Sequence, residues 1–203
     1  GGAYWSGSLR AWSVRFAGTF DGNGHAIKNW TVNANDKGLF SSIAPSGVIK
    51  NVKFINVSVG GNTGVVATEA LHGAKIQNVL VEGKITSAGS GSNPVSLVIA
   101  KNGATIENCV VICTSAIDFG STYAGLLAGN KVGGVEANVR NNLVINLSGK
   151  TLSMYNSGAV SAGNELASAT NKLFTSAADY LAAKDSLTQG AWAKDFLTAY
   201  FAN

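Results

Sequence analysis

Charge is sparse in this 203-residue chain: 13% of residues are Asp, Glu, Lys or Arg, beside two prolines, two cysteines, two histidines and one methionine. Each scarcity removes a class of function. His25 and His72 join no H-E-x-x-H phrase, so no zinc-protease site can be written from them; both fall beside turn glycines, where a shared metal would be their one route to chemistry. Two cysteines cannot build the disulfide framework of a small secreted domain. Fifteen basic against 11 acidic residues give a net charge of +4, scattered along the chain. With no arginine-rich run or basic-aromatic cluster, nucleic acid is not an expected partner. No run of about 18 apolar residues exists, so no membrane-spanning helix is expected. The glycine-rich phosphate phrase of the Walker type is absent. Gly1-Gly2 opens the chain without methionine, which predicts a leader removed ahead of it; the absence of a signal peptide therefore bears on no compartment.

What the chain has is 25 glycines and a repeated phrase. Ile27-Lys28-Asn29-Trp30-Thr31-Val32, Ile49-Lys50-Asn51-Val52-Lys53-Phe54, Ile76-Gln77-Asn78-Val79-Leu80-Val81 and Ile106-Glu107-Asn108-Cys109-Val110-Val111 share it. Asn142-Leu143-Val144-Ile145 closes the set with a slipped lead-in at Val139. The asparagines stand 22, 27, 30 and 34 residues apart, intervals suited to a solenoid whose repeats lack a core until stacked. Apolar residues at +1 and +3 have the period of a strand with one buried face. The isoleucine at −2 cannot share that face on an unbroken strand, so the chain must bend at the asparagine. Asparagine tolerates the left-handed backbone of such a corner and bonds locally to the main chain. Stacked about 4.8 Å apart, the amides of Asn29, Asn51, Asn78, Asn108 and Asn142 are expected to form a ladder; the competing reading is a turn in stacked hairpins.

A second phrase precedes each asparagine: Gly38-Leu39-Phe40, Gly64-Val65-Val66, Leu97-Val98-Ile99, Gly125-Leu126-Leu127 and Gly158-Ala159-Val160. Gly47, Gly73 and Gly103 mark turns into the isoleucine. With the run Phe20-Asp21-Gly22-Asn23-Gly24-His25, these phrases resemble the GLUG repeats of bacterial surface proteins over roughly residues 16–165. The resemblance implies a right-handed, single-stranded parallel β-helix at or outside the cell surface. Such repeats are also similar to the non-catalytic repeat region of bacterial immunoglobulin A metallopeptidases. Ser96 departs from the pattern where glycine is expected, and Gly158 opens a coil with no asparagine phrase after it.

Cys109 and Cys113 lie four residues apart on one predicted strand, on the same face and about 13 Å apart at roughly 3.3 Å per residue. A disulfide needs Cα atoms within about 7 Å, so buried free thiols are expected; a zinc half-site would need a second ligand pair, which does not follow. From Leu173 onward the spacing turns helical through Ala177, Tyr180, Leu181 and Leu187. Ser176 and Asp179 form a capping box, and a second short helix is expected over Ala191 to Phe201. The expected organisation is a β-helix of about five coils over residues 1–170 and a helical cap or flank over 171–203. Tyr4, Trp5, Leu9, Trp12 and Val14 are expected to shield the first coil.

Parallel β-helices often carry polysaccharide lyases and glycosidases, which need clustered carboxylates. Asp21, Asp36, Glu69, Glu82, Glu107, Asp118 and Glu136 do not stack into pairs in this register. Asp21-Gly22-Asn23-Gly24 starts like a calcium loop but lacks the closing glutamate; a tight turn is the simpler reading. The outward positions place Ile55, Leu80, Val110, Ile112 and Val144 in one apolar patch, to be covered by the chain's own tail or by a protein or glycan partner. The sequence therefore predicts a monomeric, non-catalytic structural or adhesion module, extracellular or on the cell envelope, with no cofactor. Two alternatives remain open: a carbohydrate-active β-helix, and an accessory region of an immunoglobulin A protease-like surface protein.

Overall fold

A computed structural model describes residues 14–33, 37–89, 94–117, 124–131, 139–155 and 170–202. Every ladder among them is parallel. A long sheet stacks Thr19–Asp21 (continued by Ala26–Lys28 and Thr31–Val32), Val48–Gly60, Lys75–Ser87, Val110–Ala116 with Thr105–Glu107, Leu143–Asn146 with Val139–Arg140, and Lys172–Phe174. A second sheet stacks Phe40–Ile43, Ala67–Ala70, Ile99–Asn102 and Ala128–Lys131. Val95–Ser96 and Ala124–Gly125 make a short third face, joined by a bridge from Gly64 to Ser96. Ser96 thus occupies the column that Gly64 and Gly125 share.

The chain is a parallel β-solenoid of about four turns, not the five expected. The difference lies at the first coil, which supplies a full rung to the long sheet but, among the described residues, pairs with the second sheet only at the Phe16–Ile43 bridge. Its register also differs: Phe20, not Ile27, opposes Ile49, and Ile27 opposes Phe54. The first interval is consequently 29 residues, as between Ala17 and Ser46, rather than 22. Later intervals are 27 from Asn51 to Asn78, 30 from Gln77 to Glu107 and 33 from Glu107 to Arg140.

The interior is built in vertical columns. Ile49, Ile76, Ile106 and Val139 form one, and Phe54, Val81, Val111 and Val144 another, all essentially buried. At the N-terminal end aromatics fill this space: the Phe16 and Phe40 rings lie 4.4 Å apart and those of Trp30 and Phe54 6.3 Å apart. Because each coil buries apolar surface mainly on its neighbours, stability accumulates rung by rung. Val14 is exposed, so it shields nothing; Tyr4, Trp5, Leu9, Trp12 and the Gly158-Ala159-Val160 phrase lie outside the described residues.

Beyond Asn171 the chain makes one more strand, Lys172–Phe174, paired to Leu143–Ile145, before it turns helical. A first helix spans Ala177–Ala183, and the Ser176 hydroxyl caps it by accepting from the Asp179 N–H at 3.1 Å. A 3₁₀ turn at Ala191–Ala193 leads into a second helix, Lys194–Tyr200. Gly190 links the two with φ of +75°, and a Cβ there would come within 2.8 Å of Leu143 Cδ2. Only glycine meets both demands. No helix among the described residues is long and apolar enough to cross a membrane.

Candidate functional site

The corner asparagines set the geometry of one edge of the long sheet. Asn51, Asn78, Asn108 and Asn141 have φ of +53°, +51°, +55° and +57°, the left-handed backbone in which asparagine costs least among non-glycine residues. Each is half-buried. The Asn78 amide donates to Asn51 Oδ1 at 3.0 Å, Asn51 donates to Asp21 Oδ1 at 3.1 Å, and Asn141 donates to Asn108 Oδ1. Two of the five expected ladder members stand elsewhere. Asn29 takes the same backbone conformation but lies a corner further along, where its Oδ1 accepts from Asn56 Nδ2 at 2.8 Å. Asp21 opens the tight Asp21–Gly24 turn opposite Lys50, one residue before the corner, and from there its carboxylate caps the Asn51 amide. Gly22 is required there, because a Cβ would fall 2.5 Å from Val52 Cβ and 2.7 Å from Asn51 O.

Asn142 is the second departure. Val139 pairs with Ile106 and Arg140 with Glu107, which puts Asn141 at the corner and turns Asn142 into the core. There it is fully buried and satisfied: Oδ1 accepts from Cys109 N at 2.8 Å, and Nδ2 donates to Ile106 O at 3.1 Å and Asn171 Oδ1 at 2.9 Å. Asn171 donates in turn to Val139 O and Tyr155 Oη. This polar thread was not found from the sequence. Its one signal was the slipped lead-in before Asn142.

A charged column runs beside the corner. Glu107 is held between Gln77, which donates to Oε1, and Arg140, whose Nε donates to Oε2 at 2.8 Å. Its neighbours are therefore Gln77 and Arg140, while Lys50, one rung beyond Gln77, reaches Asp21 at 3.4 Å. Burial pushes the Glu107 carboxyl up, but the Gln77 bond and the Arg140 guanidinium outweigh it and hold it below its usual range. The Asn23 N–H and the Asn51 amide, with Lys50, hold Asp21 low as well. Glu69 accepts from Ser42 Oγ at 3.2 Å. Glu82 sits opposite a bulge at Ile55–Asn56 and accepts from Asn56 N at 2.5 Å. Each of these four acids is thus engaged with a hydrogen-bond donor, and among the described residues no group of three His, Cys, Asp or Glu could hold a metal. Asp36, Asp118 and Glu136 lie outside the described residues. His25 and His72 are exposed on different turns: the His25 carbonyl accepts from Lys53, and His72 abuts Gly103.

Cys109 and Cys113 are free and buried. Burial pushes the Cys109 thiol up to about 12 and the Cys113 thiol up to about 11. Neither is a nucleophile near neutral pH.

The outward apolar face is covered by the tail. Leu80, Val110 and Ile112 are fully buried and pack with Tyr180, Ala193 and Leu197, while Ile55 is half-buried at the margin. Val144 does not belong to this face. The register that put Asn141 at the corner turns Val144 inward and presents Leu143 and Ile145 to the tail. Two polar links fasten the cover: Trp192 Nε1 donates to Asn108 O at 2.5 Å, and the Tyr200 hydroxyl bonds Glu82. Burial and the Glu82 carboxylate raise the Tyr200 pKa.

Fold and site together define a β-solenoid module whose outer apolar face its own helices close. Over 88 residues the chain is 34% identical to halomucin of Haloquadratum walsbyi, a large surface protein; the match covers 42% of this chain and 1% of halomucin. The likeness is partial and distant, and it weakly suggests a surface location. No family model matches the chain, and no solved structure matches it.

Proposed function

We propose that this chain is a non-catalytic structural and adhesion module of a secreted or surface-exposed protein. The likeness to halomucin carries the reading: a segment of a large surface protein is 34% identical to this chain over 88 residues. The GLUG-like phrases around Gly38-Leu39-Phe40 and Phe20-Asp21-Gly22-Asn23-Gly24-His25 support it. So does the electrostatics, because the solenoid acids among the described residues are bound to donors: Glu107 to Arg140, Glu82 to Asn56, Glu69 to Ser42 and Asp21 to Lys50 and Asn51. A solenoid suits a spacer, since it lengthens by adding coils without a larger core. Antibodies raised against the folded chain should label intact cells of the source organism, and external protease should remove the label. Signal that appears only after lysis would overturn the surface role. Release of new reducing or unsaturated ends from polysaccharide by the purified chain would overturn the non-catalytic one.

A further inference from the structure

Where the tail crosses the asparagine corner, the amide ladder is interrupted. Asn78 donates to Asn51 and Asn108 accepts from Asn141, but among the described residues no bond joins Asn78 Oδ1 to Asn108 Nδ2. Neither atom is among the buried, unpartnered side-chain atoms of the described residues, of which Ser41 Oγ on the second sheet is the one case, so this acceptor and this donor reach the surface rather than being sealed. With Asn141 they border a notch of about 260 Å³, whose other wall is Thr188, Gly190, Ala191 and Trp192. The indole is fixed by its N–H bond to Asn108 O.

We propose that this notch is a binding site for one neutral pyranose ring of a glycan. An amide acceptor and an amide donor on successive rungs, whose strands lie about 4.8 Å apart, match two neighbouring hydroxyls, each of which both donates and accepts. A fixed indole and a threonine hydroxyl complete a wall with an apolar body and polar tips. No charged side chain lines the notch, which selects against phosphates, carboxylated sugars and metal ions. The volume lies just below the roughly 300–1,000 Å³ of pockets for drug-sized ligands, so it favours a single ring over a peptide segment. The site does not depend on a surface location, and its failure would leave the proposed module role standing.

The test is nuclear magnetic resonance of the intact chain titrated with the methyl glycosides of glucose, mannose and galactose. At least one glycoside should shift the Asn78 and Asn108 side-chain amides and the Trp192 indole N–H saturably. Asn108→Asp, which removes the donor, should weaken that response about tenfold, whereas Asn29→Asp in the other column should leave it unchanged. Deoxy glycosides lacking either neighbouring hydroxyl should lose binding to the wild-type chain, a readout independent of whether the variant folds. No saturable shift with any of the three sugars overturns the proposal. So does a deoxy series that binds as well as its parent, or a response to an acetamide-bearing peptide alone.

Discussion

Deleting residues 175–203 would uncover Leu80, Val110, Ile112, Leu143 and Ile145, each at 0% exposure in the fold. Full burial of a side chain of this size contributes about 1.5–3 kcal/mol. Five of them represent roughly 7–15 kcal/mol, an upper figure since the unfolded chain is not fully extended. That is comparable to the whole stability of an ordinary domain, about 5–15 kcal/mol. The truncated chain should therefore aggregate or unfold well before the parent in urea, with a lower m-value because less surface is exposed on unfolding. Point variants grade the effect. Leu197→Ala, at 3% exposure against the same cluster, should cost about 2–5 kcal/mol. Leu181→Ala, on the same tail but 40% exposed, should change stability by less than about 0.5 kcal/mol. A truncated chain that stays monomeric in light scattering with an unchanged urea midpoint would refute the reasoning and free the apolar face for a partner.

Asn78→Ala removes an amide that bonds Asn51 and forces alanine into a φ of +51°; the two losses should sum to about 2–4 kcal/mol in denaturant melts. Asn78→Gly should recover about 1 kcal/mol of it by relieving the backbone alone, and equal stability of the two variants would refute the separation. The cysteine thiols make a pH prediction. The folded state keeps protons on Cys109 and Cys113 that the unfolded chain releases near pH 9, so these two groups leave stability unchanged below that pH and lower it as pH rises toward 11–12. At about 1.4 kcal/mol per pKa unit the two contribute a few kcal/mol each when fully titrated. Urea midpoints measured from pH 8 to 11 should fall less steeply for the Cys109→Ala/Cys113→Ala chain; parallel slopes would exclude the thiols as the cause.

The middle of the solenoid was legible because Ile49, Ile76 and Ile106 sit in one register and the period-two pattern after each asparagine leaves no other pairing for the buried face. The ends were not. At Asn141-Asn142 two adjacent asparagines compete for one corner, and the pattern following Asn142 suits either choice. Since side chains alternate, the one-residue slip exchanged Val144 for Leu143 and Ile145 on the outer face. At the first coil the register sets Phe20 over Ile49 and Asp21 over Lys50, so the Asn51 amide meets the Asp21 carboxylate and no asparagine stands above it. Counting asparagines therefore assigned Asn29 to the wrong column. Asn56, the partner of Asn29, lies within the bulge at Ile55–Asn56, which a search for Ile-x-Asn does not detect. The notch beside Trp192 was beyond sequence reading for another reason: it joins a corner at Asn78 and Asn108 to a segment some 84 residues further on.

The position of the tail also changes what kind of cap it is. An end cap would cover the cross-section after the last coil, but the tail packs on the flank, from Leu80 through Ile145. Flank burial ties several successive coils to one pair of helices, through apolar contacts and through Trp192 at the Asn108 rung and Tyr200 at the Glu82 rung. A stack held only by nearest-neighbour contacts can fray one coil at a time. Bridging the rungs of Glu82, Cys109 and Leu143 sideways makes their loss concerted, since none can leave without uncovering the apolar face of the others. The same bridge fixes the Trp192 indole against the asparagine corner.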